Sequence, residues 1–180
     1  LKFKTTAGTS LPKIPIINYS LSKNNILEVK SKFLIDKNKS IFFEKIEIED
    51  TDNEFKISNL HLNKDYNLIR FNEIKVKTIL DNKINNEFKI KNKNNISIKG
   101  NVFDAKMLIK ELSKDRDGNK FLKRISKEIE IDFNNILKGA QFPIKNFRLV
   151  GQINKGSFDK ILAKSDFTDN KHLDISLKKQ

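Results

Sequence analysis

The sequence predicts a mainly β fold, an antiparallel meander with one apolar face and one or two short helices at about 102–126. Three observations carry this reading. Apolar and charged residues alternate with a period of two over most of the chain, the pattern of half-buried strands. Ile and Phe supply 25 and 14 residues while Ala supplies four, a bias towards side chains that suit a pleated surface and away from helix. Clusters of Asn, Asp and Lys break the alternation at intervals of 10 to 16 residues, the spacing of hairpins.

Near the start, Leu27-Glu28-Val29-Lys30 leads towards Phe33, and Lys37-Asn38-Lys39 turns the chain. Ile41-Phe42-Phe43 runs into Glu44-Lys45-Ile46-Glu47-Ile48-Glu49, closed by Asp50-Thr51-Asp52-Asn53. Phe55-Lys56-Ile57 and Leu60-His61-Leu62 precede the turn Asn63-Lys64-Asp65. Ile74-Lys75-Val76-Lys77 reaches Asp81-Asn82, and Phe88-Lys89-Ile90 reaches Asn92–Asn95 before Ile96-Ser97-Ile98. These links are too short for the crossovers that parallel strands need, so hairpins are expected throughout.

The pattern breaks after Gly100. Asn101 is placed to cap a helix with Asp104 at the third helical position. Phe103, Met107, Leu108 and Leu112 then recur at helical spacing, which predicts a helix from about 102 to 113. Asp115–Asn119 reads as a turn, and a second short helix is expected over about 119–126. Alternation resumes at Glu128-Ile129-Glu130-Ile131-Asp132-Phe133. It continues in a strand from Phe147 to Ile153, in Phe158–Ile161 and in Leu173–Leu177, with turns at 138–140, 154–156 and 168–171. The organisation is therefore repeated strands over 1–100, a helical insertion over 101–127 and a meander over 128–180. With Leu1 at its start, the whole reads as one segment of a longer protein.

Composition bounds the chemistry. The 180 residues hold 36 Lys and Arg against 23 Asp and Glu, a net charge of +13, and no cysteine. Disulfides, thiolate metal sites and cysteine nucleophiles are excluded. No apolar run approaches the roughly 20 residues that span a bilayer as a helix. Among the cations, 32 are Lys and four Arg, beside 22 Asn. A low-G+C genome produces that bias on solvated faces. Phosphate recognition favours Arg forks, so nucleic acid is not the expected partner.

The remaining candidates are weak. Asp115-x-Asp117-x-Asn119 has calcium-loop spacing, but Lys120 stands where glycine belongs and Ser126 where the bidentate acid belongs. Glu128, Glu130 and Asp132 read as an ordinary solvated strand face. His61 and His172 have no readable nucleophile beside them, and the six glycines form no phosphate loop. No catalytic residue, metal site or cofactor is assigned, and an enzyme is not expected. What stands out is the greasy face itself, since one helix of about 12 residues cannot cover it. Such a sheet closes on itself as a sandwich, packs on another layer or holds something apolar. Pattern alone leans slightly to the sandwich.

The stretch from Ile96 to Ile109 resembles a recurring element of the AsmA-like family (the AsmA, TamB and YhdP group of bacterial envelope proteins). That element is a strand ending in Gly, then an apolar residue, Asp and a small residue, then a short amphipathic helix. Ile129-Glu130-Ile131-Asp132, Phe147-Arg148-Leu149, the Asn154-Lys155-Gly156 turn and Leu173-Asp174-Ile175 are similar to the strand, turn and meander that come next in YhdP-like members. The likeness covers about residues 96–180. It implies an elongated, curved or U-shaped sheet whose apolar groove carries phospholipid acyl chains between inner and outer membranes. It also implies a periplasmic segment of an inner-membrane-anchored protein of a Gram-negative bacterium, flanked by adjoining segments of the same long chain. On that reading, Ile129, Ile131, Phe133, Phe147, Leu149, Phe158, Ile161, Ile175 and Leu177 face the groove, and Ile57, Ile74, Val76, Phe88 and Ile90 continue it. The other readings are a basic β-rich module for anionic polymers and a ligand-free structural β-sandwich.

Overall fold

The computed structural model describes residues 2–6, 13–21, 26–112, 126–139, 142–155, 157–167 and 171–179. Its elements are β1 (Lys2–Thr6), β2 (Lys13–Ile14), a 3-10 turn (Pro15–Ile17), β3 (Tyr19–Ser20), β4 (Ile26–Ile35), β5 (Ile41–Glu49), β6 (Glu54–Leu62), β7 (Leu68–Arg70), β8 (Glu73–Leu80), β9 (Lys83–Asn92), β10 (Ile96–Asp104), α1 (Lys106–Leu112), β11 (Lys127–Leu137), β12 (Ile144–Asn154), β13 (Ser157–Asp166) and β14 (His172–Lys178). The alternating segments form strands, as the sequence predicts, because only that pairing puts their Ile and Phe on one face and their Lys and Glu on the other.

Twelve strands make one curved, open sheet in the order β1-β4-β5-β6-β8-β9-β10-β11-β12-β13-β14, with β7 also paired to β6. Among the described residues the only other sheet is the two-residue pair β2-β3. Hairpin turns are built from residues that tolerate left-handed backbone. Asp81 and Asn82 both have positive φ, as a two-residue turn between twisted strands requires. The Asp36 carboxylate accepts the Asn38 and Ser40 amides at 2.8 Å each, which fixes the β4–β5 turn.

Two sequence expectations are corrected. Not every pair is antiparallel, because β10 and β11 run parallel from Ile96↔Ile129 to Asp104↔Leu137. The connection over residues 105–126, which carries α1, is long enough for that crossover. The helix is also shorter than predicted at its start. Val102–Asp104 stay in β10, where they complete the ladder with β11, and α1 begins at Lys106. Asp104, not Asn101, serves the helix start: its Oδ1 accepts the Lys106 amide at 3.1 Å. Asn101 instead donates to Glu87 Oε2 at 3.2 Å. Residues 119–125 of the second expected helix, and the calcium-like turn at 115–119, lie outside the described residues, and Ser126 is not helical.

The core sits at one end of the apolar face. The segment Lys13–Leu21 lies over it as a flap, burying Ile17, Tyr19 and Leu21 with Leu27, Phe55, Val76, Phe88 and Phe133. The Tyr19 ring meets Phe55 edge-on at 4.9 Å. Phe88, Phe103 and Phe133 form a triangle with centroids 5.5–5.8 Å apart. α1 packs on the 3-10 turn, the main contact between elements that are neither hydrogen-bonded strands nor adjacent in the chain.

Side-chain hydrogen bonds lock this flap down. Asn86, fully buried, donates through Nδ2 to Ile17 O at 2.7 Å and Thr78 Oγ1 at 2.9 Å, and its Oδ1 accepts the Asp104 amide at 3.0 Å. Thr78 donates to Asn85 Oδ1 at 2.7 Å. Asn18 donates to Asp104 Oδ2 at 3.0 Å, and the Tyr19 hydroxyl to Asp50 Oδ2 at 2.7 Å. Burial first, then the bond to Asp50 and its charge, raise the Tyr19 pKa and keep the phenol protonated.

Three substitutions test these contacts. Asn86→Leu strands the Ile17 carbonyl and the Asp104 amide without partners, and should cost about 3 kcal/mol. Gly100→Ala drives a Cβ into the backbone of Glu87 and Phe88 and should cost about 1–3 kcal/mol. Gly139→Ala, whose Cβ meets only the end of Lys106 but whose φ is +95°, should cost about 1 kcal/mol. Urea midpoints at unchanged m-value check all three.

Candidate functional site

The strand register aligns apolar residues into rows that cross the sheet. The longest runs Ile46↔Ile57↔Ile74↔Ile90↔Ile98↔Ile131↔Leu149↔Ala163↔Ile175, one residue from each of nine consecutive strands. All are half-buried except Ala163, which is buried. On one side lies the row Val29↔Ile48↔Phe55↔Val76↔Phe88↔Gly100↔Phe133↔Phe147. On the other, Ile96↔Ile129↔Gly151↔Ile161↔Leu177 completes the face in the second half of the sheet.

The sequence-predicted residues divide among these rows. Ile57, Ile74, Ile90, Ile131, Leu149 and Ile175 all belong to the central row. Ile129, Ile161 and Leu177 belong to the third row, where Leu177 is 58% exposed. A Cβ on Gly151 would lie 3.4 Å from the Phe158 ring and 3.5 Å from Ile129, so the glycine leaves room for Phe158 on that face. Phe147 is half-buried at the end of the second row. Val76, Phe88 and Phe133 differ from expectation. They are buried in the protein's own core, under the flap and against Phe103, so a ligand does not reach them without displacing protein.

Sequence reasoning missed the flap and its latch. Asn85 and Asn86 are two of 22 asparagines, and nothing local marks them as buried. Ile46, Ile98 and Ala163 join the central row through register, which alternation along one strand does not reveal.

The opposite face is charged. Its central row reads Lys30↔Glu47↔Lys56↔Lys75↔Lys89↔Lys99↔Asp132↔Arg148↔Lys164↔Asp174. Acids in and beside the row answer many of its cations. Lys56 pairs with Glu54 at 2.5 Å, Lys75 with Glu73 at 3.4 Å, Lys99 with Glu130 at 2.6 Å, and Arg148 with Asp132. The neighbouring row sets Glu28, Glu49, Glu54 and Glu87 against Lys77. Lys45 also pairs with Glu47 at 2.7 Å; this hydrogen bond lowers the Glu47 pKa, and the bond to Glu54 raises that of Lys56. This is a mixed, solvated surface rather than a uniformly basic one.

The polar candidates are brought to no shared centre. Glu130 and Asp132 are engaged in the ion pairs above, and Glu128 is exposed. His61 meets Phe42 edge-on at 6.4 Å. His172 Nδ1 lies 2.8 Å from Asp166 Oδ1 at the surface. Hydrogen bonds from Asn146 and then His172 hold the Asp166 carboxyl below its ordinary pKa. Among the described residues no group of three His, Asp or Glu side chains is placed to hold a metal ion. Among the described residues the most extensive feature is thus the apolar surface. Comparison of the chain with protein-family models, with curated proteins and with solved structures gave no match.

Proposed function

We propose that this chain is a non-catalytic, lipid-carrying segment in which phospholipid acyl chains lie along the central apolar row while head groups stay in water. The observation that carries the reading is the row itself. It runs unbroken from Ile46 to Ile175, and among the described residues the only other sheet is the two-residue pair β2–β3 of the flap. The flap covers the Phe55–Phe133 side, and Ile74, Ile90, Ile98 and Ile131 of the central row pack against that core while staying half-exposed.

The chemistry suits an acyl chain. Each methylene moved from water onto this surface gains roughly 0.8 kcal/mol. The row has no charged member, so binding is spread along it and a chain can slide without leaving a fixed anchor. The mixed charge of the opposite face favours this reading over a polyanion surface, and the open sheet favours it over a closed sandwich. The likeness of residues 96–180 to AsmA-like proteins points the same way. On this proposal the host is a Gram-negative envelope protein, with the segment in the periplasm between adjoining segments of its own chain.

Photo-crosslinking tests the proposal. A benzophenone side chain at Ile131, Leu149 or Ile175 should form lipid adducts with phosphatidylethanolamine–phosphatidylglycerol vesicles, whereas the same probe at Lys89 or Lys164 on the charged face should not. Adducts confined to Lys89 and Lys164, or absent everywhere, would contradict it.

A further inference from the structure

We infer that the head group of the bound lipid is anionic and that its phosphate lies along one lip of the apolar face, the lip formed by the turns that carry Lys37, Lys64, Lys93 and Lys155. The inference deepens the lipid-carrying reading and rests on it.

Strand pairing sorts the links between strands to the two ends of the sheet. One end holds the links β4–β5, β6–β7, β9–β10 and β12–β13, the start of β11 and the end of β14. The other holds β5–β6, β8–β9, β11–β12 and β13–β14. Among the described residues, the links and tail of the first end carry Lys37, Lys39, Lys64, Lys93, Lys155 and Lys179 against Asp36 and Asp65. Those of the second carry Lys138 and Lys171 against Asp50, Asp52 and Asp81. Lysines spread evenly along the chain are thus gathered by topology at one lip.

The two lips also differ in cover. Among the described residues the elements outside the main sheet are the flap and α1. Both sit at the second end, where Tyr19 bonds to Asp50 and Asn18 to Asp104. At the first end all six lysines are exposed. The Asp36 carboxylate there is occupied by the Asn38 and Ser40 amides. The ion pairs among the described residues join strand residues, such as Lys32–Glu44 and Lys91–Glu73, and include none of the six.

Lys127 brings this charge to the apolar face. It lies on the Ile129 and Ile131 side of β11 and is half-buried. Its Nζ donates to Asn92 Oδ1 at 2.6 Å and to Lys93 O at 2.7 Å. Both acceptors are neutral, and the ammonium has a third N–H to give. Lys127 and Ile131 are four strand residues apart, about 13 Å, a span that a glycerol ester and a few methylenes cover. The row from Ile129 to Leu177 fills the interval. A nucleic acid would meet the lip and leave that row wet. A phospholipid meets both, since lysine stems rest on apolar surface while their ammonium groups stay in water.

The test uses the intact chain with benzophenone at Ile131 and vesicles of phosphatidylglycerol or phosphatidylcholine with the same acyl chains. Phosphatidylglycerol should give about tenfold more adduct at low salt, and the excess should shrink as salt rises. The triple variant Lys93→Gln/Lys155→Gln/Lys179→Gln, at exposed positions, should keep the circular dichroism of the parent and lose the excess. Lys75→Gln/Lys89→Gln/Lys99→Gln, on the charged face, should keep it. Equal adduct with the two lipids overturns the inference and leaves the acyl-chain reading standing. No adduct with either lipid overturns both. Loss of the excess in both triple variants alike would assign it to net charge and overturns the inference. So does an oligothymidine that binds these lysines more tightly than phosphatidylglycerol vesicles, which would assign the lip to nucleic acid.

Discussion

Cross-strand register is the constraint on which the rest of this structure depends. A strand has a side-chain period of two, so slipping one pairing by one residue would move its isoleucines to the lysine face. The central row keeps phase through nine strands and through the one parallel pair, β10–β11. The sheet's irregularities fall beside that row. Register shifts at Lys32/Phe33, His61/Leu62, Thr78/Ile79, Gly100/Val102, Lys145/Arg148 and Gln152/Ile153 all leave the row's own pairings in place. They add the local twist and bend that bulges bring without interrupting the apolar line.

The buried polar network shows what it takes to close part of such a face. Over Phe55, Val76 and Phe88 the protein supplies its own cover, Ile17, Tyr19 and Leu21. A short segment with two-residue strands has little backbone pairing to hold it, and Asn86, Asn18 and Tyr19 provide the missing bonds. The same Asp104 that receives Asn18 also steadies the first turn of α1, so the flap, the end of β10 and the start of α1 are joined. Where that cover stops, the apolar face is left half-exposed.

Much of this was legible in the residues. Alternation such as Ile74-Lys75-Val76-Lys77 states both the strand and its faces, and Asp81-Asn82 states its turn. Three things were not. The parallel pairing of Ile96–Asp104 with Lys127–Leu137 is a long-range choice that no local pattern encodes. The helix start moved because ladder pairing of Val102–Asp104 outweighed a local capping signal at Asn101. The burial of Asn86 and Asp104 is invisible in a chain where Asn and charged residues fill the surface. For the candidate site the limit was similar: alternation marked Val76, Phe88 and Phe133 as inward-facing, yet only the fold shows that inward there means core and not groove.

The most direct measurement is methyl NMR of the chain with phospholipid carrying a nitroxide on its acyl chain. The account predicts paramagnetic broadening of the isoleucine methyls along Ile46, Ile57, Ile74, Ile90, Ile98, Ile131 and Ile175, while Val150 and Leu162, exposed apolar residues on the charged face, stay sharp. Equal broadening on both faces, or sharp signals along the whole row, would contradict it.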